Sequence, residues 1–497
     1  MPATRPTATV PSRVKALYGS SAIAFGVKDN GFSVFLLLFY NQVIGLDASL
    51  VGAAALIALL LDALVDPLVG HFSDRTRSHW GRRHPWLYAA ILPMVVLWYA
   101  LWHPPVGTDQ GALFAWLLVT AFLMRAAVSM YEVPSTAMIA ELSADYDERT
   151  AIVRWRFLFG WAGGLAILAL AYGVLLTPEP GYPDGQLNPN GYDRYAVAGA
   201  LMIGIAALTG ALGTHRIMAA RVHPPAHRLG ALHSLREIRQ ALSNRAFLIL
   251  MAAALFAFAN QGMTFSLTNY LLTYVWQLPQ AGFVIYALSL FGGVVLAFLV
   301  VGRAQARLGK KTAAVAAGLG AIILGTLPYW LRAIDAFPLP GSALLIPLLF
   351  TMITIATGLG VMVMMLASSM MADVVEDSEM RTGRRDEGLF FAGYFFTQKC
   401  VTGLGIFLSG TIVSLSGLPA AAVPGQVDTA VLDSLALSYS VCLIIFGVIS
   451  AAIFSRFPIS RNDHEARLAA LAVASLQEDR QQAGPMPPPG VEKASPA

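Results

Sequence analysis

The stretch LDALVDPLVGHFSDRTRSHWGRRHPW, residues 61–86, joins an apolar segment to a strongly basic one. The first part is apolar enough for a membrane helix, although it carries Asp62 and Asp66 four residues apart. The second part places Arg82 and Arg83 directly after a glycine. A charged side chain at the centre of a bilayer costs roughly 3 kcal/mol or more. The stretch therefore predicts a membrane helix that carries a functional site and ends at a charged surface.

The composition of the whole chain agrees with a membrane location. Of its 497 residues, 56% are hydrophobic and only 12% are charged, whereas soluble domains are about 25% charged. Cys400 and Cys442 both lie in apolar runs, so no disulfide framework is indicated. The segment 1–15 has basic residues and prolines and is predicted to be a retained tail rather than a cleaved signal.

Apolar windows long enough to cross a bilayer, about 20 residues each, occur about twelve times. They are predicted at 18–43, 50–72, 86–104, 112–138, 157–177, 195–214, 246–275, 282–302, 312–333, 342–372, 388–417 and 432–455. The fold class is therefore an all-α integral membrane protein with twelve transmembrane helices.

Charge separates the loops into two sets. The loops after windows 2, 4, 6, 8 and 10 are basic, whereas the alternate loops are mainly acidic, and the positive-inside rule places the basic set in the cytoplasm. We predict a multi-pass protein of the cell membrane with both termini cytoplasmic. The expected organisation is a tail at 1–17, a six-helix half at 18–214, a cytoplasmic loop at 215–245, a second six-helix half at 246–455, and a tail at 456–497 that is disordered at its end.

An internal repeat supports two halves. GHFSDRTRSHWGRRHPWL follows the second window and GRAQARLGKKTAAV follows the eighth, and each places two basic residues after a glycine. Repeats of this sort are typical of secondary transporters, in which the substrate site lies between the halves.

Four further stretches resemble a known family: GVKDNGF at 26–32, LDALVDPLVG at 61–70, YEVPSTAMIAELSADYDERT at 131–150 and DEGLFFAGYFFTQK at 386–399. The basic loop resembles the loop 2–3 signature of the major facilitator superfamily. Together they resemble the glycoside–pentoside–hexuronide:cation symporters, of which the melibiose carrier is the familiar member. The resemblance covers roughly residues 18–455. It implies the major facilitator fold, alternating access, and cation-coupled symport of a sugar or glycoside.

The two aspartates are the first candidate site. Their spacing puts Asp62 and Asp66 on one helix face, where two carboxylates repel unless a cation lies between them or one is protonated. A hydrated helix end is the alternative. The resemblance implies that both hold the coupling cation, with Ser129 beside them and Lys399 between the cation and substrate sites. The family tends to have asparagine where Val65 stands, so the expected ion is Na⁺ or H⁺, and the aspartates are metal ligands only for Na⁺.

Several polar residues are substrate candidates. Asp29 is expected to face inward as an acceptor for substrate hydroxyls, and a surface ion pair with Lys28 is the alternative. The resemblance implies that Asp29, Glu132 and Arg156 contact the sugar. Thr136 stands where melibiose-type carriers have a tryptophan, which argues against a galactoside.

The fourth and seventh windows each leave an alternative open. Arg125, Ser129, Glu132 and Thr136 form one stripe of the fourth window, and a structural Arg125–Glu132 ion pair would also explain it. The amides and hydroxyls of the seventh window suit a polyhydroxylated ligand, although a hydrogen-bonded helix interface is equally compatible; the candidates are Asn260, Gln261 and Thr264. A charge tally of Asp29, Asp62, Asp66 and Glu132 against Arg125, Arg156 and Lys399 leaves one negative charge, which one bound cation would balance.

Charged loop residues are gating candidates. They form charge-assisted bonds that would hold cytoplasmic helix ends together in one state, unless they serve only as solvated topology signals; the candidates are Asp74, Arg75, Arg82, Arg83, Glu141 and Asp145.

The expected partners are a small-molecule substrate, a monovalent cation and the lipid bilayer. No nucleic acid is expected, and no cofactor beyond the coupling ion. The chain is expected to act as a monomer. A lysophospholipid symporter of the same family is the rival, ahead of a membrane enzyme or a transporter-like sensor. An ATP-driven pump is disfavoured because the sequence has no GxxxxGK[ST] motif.

Overall fold

The computed structural model describes residues 10–105, 107–143, 145–219, 243–382 and 387–458. These residues form twelve helices that run between two ends of the molecule. The helices are α1 Ser12–Val43, α2 Ala48–Arg75, α3 His84–Leu101, α4 Gln110–Leu142, α5 Tyr146–Leu170, α6 Pro189–Ala219, α7 Arg245–Tyr270, α8 280–308, α9 310–333, α10 Leu345–Thr382, α11 Glu387–Leu415 and α12 Thr429–Phe454. The π-helical turns Ala171–Leu175 and Leu271–Val275 extend α5 and α7.

Helices α8 and α9 form one helical run, Gln280–Ala333, of 54 residues. An unbroken helix of that length would measure about 80 Å, far more than a bilayer core. The run is interrupted at Gly309, whose φ of 76° and ψ of 160° are left-handed values that glycine adopts without a steric penalty. The described residues contain eleven helical runs apolar enough to cross a membrane. Because Gly309 divides one of them, the predicted all-α architecture with twelve spans is confirmed.

Acidic residues cap three helices at one end of the molecule. The side chains of Asp47, Asp109 and Asp428 accept hydrogen bonds from backbone N–H groups in the first turns of α2, α4 and α12. A carboxylate satisfies free N–H groups at a helix N-terminus and complements the helix dipole. We call the end of the molecule that carries these caps the outer end, and the end that carries the α2–α3 loop the inner end.

The helix boundaries differ from the predicted ones in two places. Helix α1 begins at Ser12, inside the segment predicted as a tail, and α6 continues to Ala219, beyond the predicted end of the first half. Apolar windows locate only the part of a helix inside the bilayer core, so helices that project from it are underestimated. Residues 1–9, most of the central loop and the tail after residue 458 lie outside the described residues.

The helices pack in two groups. In the first half, α2 and α3 both contact α4, and α1 lies against α5 and α6; in the second half, α7 lies against α11 and α12, and α8 and α9 lie against α10. Across the two halves, α2 contacts α11 at glycines. A β-carbon on Gly410 would meet the carbonyl oxygen of Ala48, and Gly52 faces the backbone of Phe407. Small residues therefore let the two halves approach closely here.

Hydrogen bonds join the two halves near the outer end. Ser266 Oγ donates to the carbonyl oxygen of Ser33 at 2.9 Å, and Asn269 Nδ2 donates to that of Val34 at 3.1 Å. Residues 34–42 of α1 are all buried, whereas Asp29, nearer the inner end, is exposed. The outer part of α1 is therefore enclosed by its neighbours, whereas α1 is exposed at Asp29, nearer the inner end.

One buried glutamine concentrates these contacts. The Nε2 group of Gln42 donates to Asn41 Oδ1 at 2.6 Å and to the carbonyl oxygen of Pro419 at 3.2 Å. Its Oε1 accepts from Tyr274 OH at 2.8 Å and from the N–H of Ala422 at 2.9 Å. We call these four bonds the Gln42 network. Three of its four partner residues belong to the second half, so the network fastens the outer ends of the two halves together.

Candidate ion and substrate site

The paired aspartates of α2 lie in a buried cluster of charges. Asp62 Oδ2 lies 2.6 Å from Lys399 Nζ and accepts from Arg125 Nε at 3.1 Å, while Asp62 Oδ1 accepts from Ser129 Oγ at 2.8 Å. Asp66 Oδ2 accepts from Lys399 Nζ at 2.7 Å. The four residues predicted as the cation site therefore lie together. Lys399 comes from the second half, so the cluster also joins the halves.

Arg125 belongs to this cluster, which the sequence did not predict. The proposed alternative, a structural pair with Glu132, is wrong because Arg125 bonds Asp62 instead. Its guanidinium lies over the ring of Phe32, 5.4 Å from the ring centroid, a cation–π geometry. The spacing within α4 indicated which face Arg125 occupies, but only the packing of α4 on α2 selects its partner.

One oxygen of the cluster is unpartnered. Asp66 Oδ1 is buried and accepts no hydrogen bond from the part of the chain that the structure describes. A buried polar atom without a partner is costly, and it calls for an explanation, such as an ion or a water molecule that binds there. Asp62 and Asp66 are balanced by Arg125 and Lys399, so the cluster carries no net charge in this state.

Asp29 and Lys28 form an ion pair despite being adjacent. Lys28 Nζ lies 2.5 Å from Asp29 Oδ1. Lys28 is buried, whereas the side chain of Asp29 is 66% exposed. Lys28 was not counted when the central charges were summed from the sequence. Including this buried cation brings the balance of the central charges to zero, so a bound cation is not needed to neutralise them.

Arg156 and Glu132, both candidates for contact with the sugar, lie near each other, but the closest partners of Arg156 are other residues. Its Nη1 donates to Tyr18 OH at 3.1 Å and to Ser135 Oγ at 3.0 Å, whereas its Nη2 is 3.8 Å from Glu132 Oε1. The guanidinium also lies 5.0 Å from the ring centroid of Phe25. Three helices meet here, and this packing is not readable from motif spacing.

Thr136 lies one turn beyond Glu132 and is exposed. Its hydroxyl donates to the carbonyl oxygen of Glu132 at 2.8 Å, a bond within α4. Glu132 itself is 38% exposed. Both residues therefore have accessible side chains, and that of Glu132 lies beside Arg156.

The three candidates on α7 bond within the second half. Asn260 Nδ2 donates to the carbonyl oxygen of Leu443 at 3.1 Å, and Thr264 Oγ1 accepts from Tyr439 OH at 3.2 Å. Gln261 Nε2 lies 3.5 Å from the sulfur of Met364. Asn260 and Thr264 thus act as helix-interface residues in this state, which was the alternative given for them. Other polar side chains of α7 do reach the first half, among them those of Ser266, Asn269 and Tyr270.

The basic loop between α2 and α3 is fixed by ion pairs. Arg82 Nη2 and Arg83 Nε lie 2.7 and 3.0 Å from Glu141 Oε1, and Arg83 Nη2 lies 2.5 Å from Asp74 Oδ1. Arg83 Nη1 also donates to Ser73 Oγ at 2.7 Å. Four of the predicted gating residues therefore form one cluster that ties the inner ends of α2 and α4.

The other two gating candidates lie elsewhere. Arg75 is exposed, and Asp145 caps α5 by accepting from the N–H of Glu148 at 2.9 Å.

The second half has an ion pair that corresponds to those of the basic loop in the first half. There Lys310 Nζ lies 2.6 Å from Asp373 Oδ1. Each of these pairs lies within one half.

Comparison with known proteins identifies the family. The model of the MFS/sugar transport protein family matches residues 17–461, so the chain belongs to this family of transporters and is not assigned to an enzyme class. A Synechocystis protein named as an uncharacterized symporter is 29% identical, with 90% of this chain and 94% of that protein covered. The putative glycoside/cation symporter YagG of Escherichia coli is 27% identical, with 80% of each chain covered. The isoprimeverose transporter of Lactiplantibacillus pentosus is 25% identical, with 84% of each chain covered.

These relatives confirm the predicted membership in the glycoside–pentoside–hexuronide:cation symporters. Among solved structures, the nucleoside transporter NupG aligns with a TM-score of 0.60 over 89% of this chain and 98% of its own. The identity of that pair is 14%, so the likeness concerns the fold alone.

Proposed function

We propose that this chain is a cation-coupled symporter of a sugar or glycoside that works by alternating access. One observation carries the proposal: Lys399 of the second half pairs with both Asp62 and Asp66 of the first half. A cation that binds the aspartates competes with Lys399 and changes a contact between the halves. Ion binding is thereby linked to the equilibrium between conformations.

The substrate site that we propose lies beside this cluster, at Asp29, Glu132, Arg156 and Thr136. Carboxylates and a guanidinium form charge-assisted hydrogen bonds with sugar hydroxyls, and the rings of Phe25 and Phe32 supply apolar contact. The α7 amides and hydroxyls would join the site in a different conformational state. Such a charged wall favours a glycoside over the acyl chain of a lysophospholipid.

The coupling ion that we propose is a monovalent cation, sodium or a proton, bound at Asp66 and its partners. Val65 offers no side-chain oxygen, and hard metal ions take several oxygen ligands. We further propose that the protein acts as a monomer in the cell membrane, with both termini and the inner end in the cytoplasm. The Arg82–Arg83–Glu141 cluster would then hold the first half rigid on the cytoplasmic side.

Uptake into proteoliposomes tests this function. A labelled β-glycoside or pentoside, offered with an inward gradient of sodium or protons, is expected to accumulate in vesicles that contain the wild-type protein. D66N is expected to abolish accumulation but to retain substrate binding by calorimetry. D109N, which removes a carboxylate that only caps α4, is the control and should accumulate substrate normally. Full accumulation by D66N would contradict the ion site, and substrate turnover without any flux would contradict transport.

A further inference from the structure

We propose that Arg125 sets the ion selectivity of the site, because it occupies Asp62 as a built-in counter-ion and excludes sodium from it. Asp66 alone offers too few oxygens for sodium, so the external cation that binds there is a proton. This inference rests on the proposed function, in which both aspartates lie at the coupling-ion site.

The carboxylate of Asp62 is already almost fully coordinated. Its two oxygens already take three donors, from Arg125, Ser129 and Lys399, and its side chain is only 2% exposed. A carboxylate has about four lone-pair positions, so Asp62 has little capacity for a further ligand. Asp66, by contrast, has a buried oxygen without a partner and is 29% exposed.

The side chain of Arg125 is fixed in place. Its side chain is 7% exposed, and its guanidinium is held between Asp62 and the ring of Phe32. Arginine keeps its charge in proteins and bonds a carboxylate with a rigid donor group. Lys399 is the more accessible partner, since its side chain is 22% exposed and it is shared between both aspartates. An arriving cation therefore displaces Lys399 and leaves Arg125 on Asp62.

The charges of the cluster leave room for one external cation. Asp62 and Asp66 carry two negative charges, and Arg125 and Lys399 carry two positive ones, so one monovalent cation can replace Lys399 without leaving a net charge. A sodium ion held by both carboxylates would lie beside the Arg125 guanidinium, where like charges repel in a medium of low dielectric constant. Arg125 thus prevents a two-carboxylate sodium site, and its removal should create one.

The test measures sodium binding by thermal unfolding of the purified full-length protein. The unfolding temperature of the wild type should be the same in about 100 mM sodium chloride and in choline chloride, because a ligand stabilises only a state that binds it. R125Q and R125M, two neutral variants, should be stabilised by sodium, by about 2 °C or more at this concentration. R125K keeps the positive charge and should show no sodium response.

The double variant D62N/R125Q is the matched control. It keeps the cluster neutral but lacks the second carboxylate, so it should fold and show no sodium response. A single symmetric gel-filtration peak and one cooperative unfolding transition check that each variant is folded. A sodium-dependent rise in the unfolding temperature of the wild type overturns the inference, even if the neutral variants do not fold. Folded R125Q without a sodium response also overturns it.

Failure of this inference can be told apart from failure of the proposed function. Suppose that the wild type couples uptake to protons, that D66N abolishes this coupling, and that R125Q gains no sodium response. In that case only the role of Arg125 is wrong. If D66N retains full coupling, the ion site itself is wrong.

Discussion

The Gln42 network predicts that Q42L opens the outer end of the transporter. Leucine has nearly the volume of glutamine but cannot hydrogen-bond. In the variant the N–H of Ala422 loses its acceptor, and the carbonyl oxygen of Pro419 loses its donor. Asn41 Oδ1 keeps the bond from Tyr270 OH, so it is not left without a partner.

The magnitude follows from these losses. A buried donor without a partner costs about 1–3 kcal/mol, and an ordinary lost hydrogen bond costs about 1 kcal/mol. Tyr274 OH still donates to the carbonyl oxygen of Ala422 at 3.0 Å, so its loss is partial. The outward-closed state should therefore be destabilised by about 2–4 kcal/mol relative to a state in which water reaches these groups. That difference shifts the equilibrium about 30- to 700-fold.

Distance measurements between spin labels at residues 108 and 426 assay this shift. Both positions are exposed in outer loops, one in each half, and Cys400 and Cys442 would first be replaced by serine. Q42L should broaden the distribution toward longer distances, whereas Q110L should not. Gln110 bonds the N–H of Asp47 and the carbonyl oxygen of Gly45, both within the first half. An unchanged distribution in folded Q42L, or an equal change in Q110L, would refute this reasoning.

Three other substitutions have definite expected outcomes. K399Q removes the only donor described for Asp66 and should lower the free energy of unfolding by about 1–3 kcal/mol. This is less than for a fully buried pair because the side chains of Lys399 and Asp66 are partly exposed. Substrate binding by calorimetry should persist while cation-driven uptake is lost, and normal uptake would contradict the coupling role. G410V should separate α2 from α11 at Ala48 and abolish transport, whereas G360V, with nothing within 4 Å, should transport normally; equal transport by both would argue against close approach. R83Q breaks a buried cluster and should destabilise by about 3 kcal/mol, while R75Q, at an exposed position, should leave the unfolding temperature unchanged.

The fold was largely predictable because membrane helices must be long and apolar. Every predicted window has a matching helix, including the two that meet at Gly309. The ends of helices were less predictable, as at Ser12 and Ala219, because residues beyond the bilayer core carry no hydropathy signal.

The site was predictable where a motif carried it and unpredictable where packing chose the partners. Asp62, Asp66, Ser129 and Lys399 lie together as the family resemblance implied. The Arg125–Asp62 bond joins residues 63 positions apart on different helices, so no local spacing could reveal it.

The hydrogen-bond partners of residues on α5 and α7 were equally unpredictable from the sequence. The contacts of Arg156 with Tyr18 and Ser135 depend on how α1, α4 and α5 meet. Similarly, the polarity of α7 did not distinguish Asn260, which bonds α12, from Asn269, which bonds α1.

The most direct test of the central claim is substrate-induced cation movement through the purified protein. Wild-type proteoliposomes on a solid-supported membrane should give a transient inward current when a transported glycoside is added without any ion gradient. D66N should give no sustained cation movement although it binds the same glycoside. Transport of glycoside by the wild type without accompanying cation movement would contradict the account, as would an undiminished current from D66N.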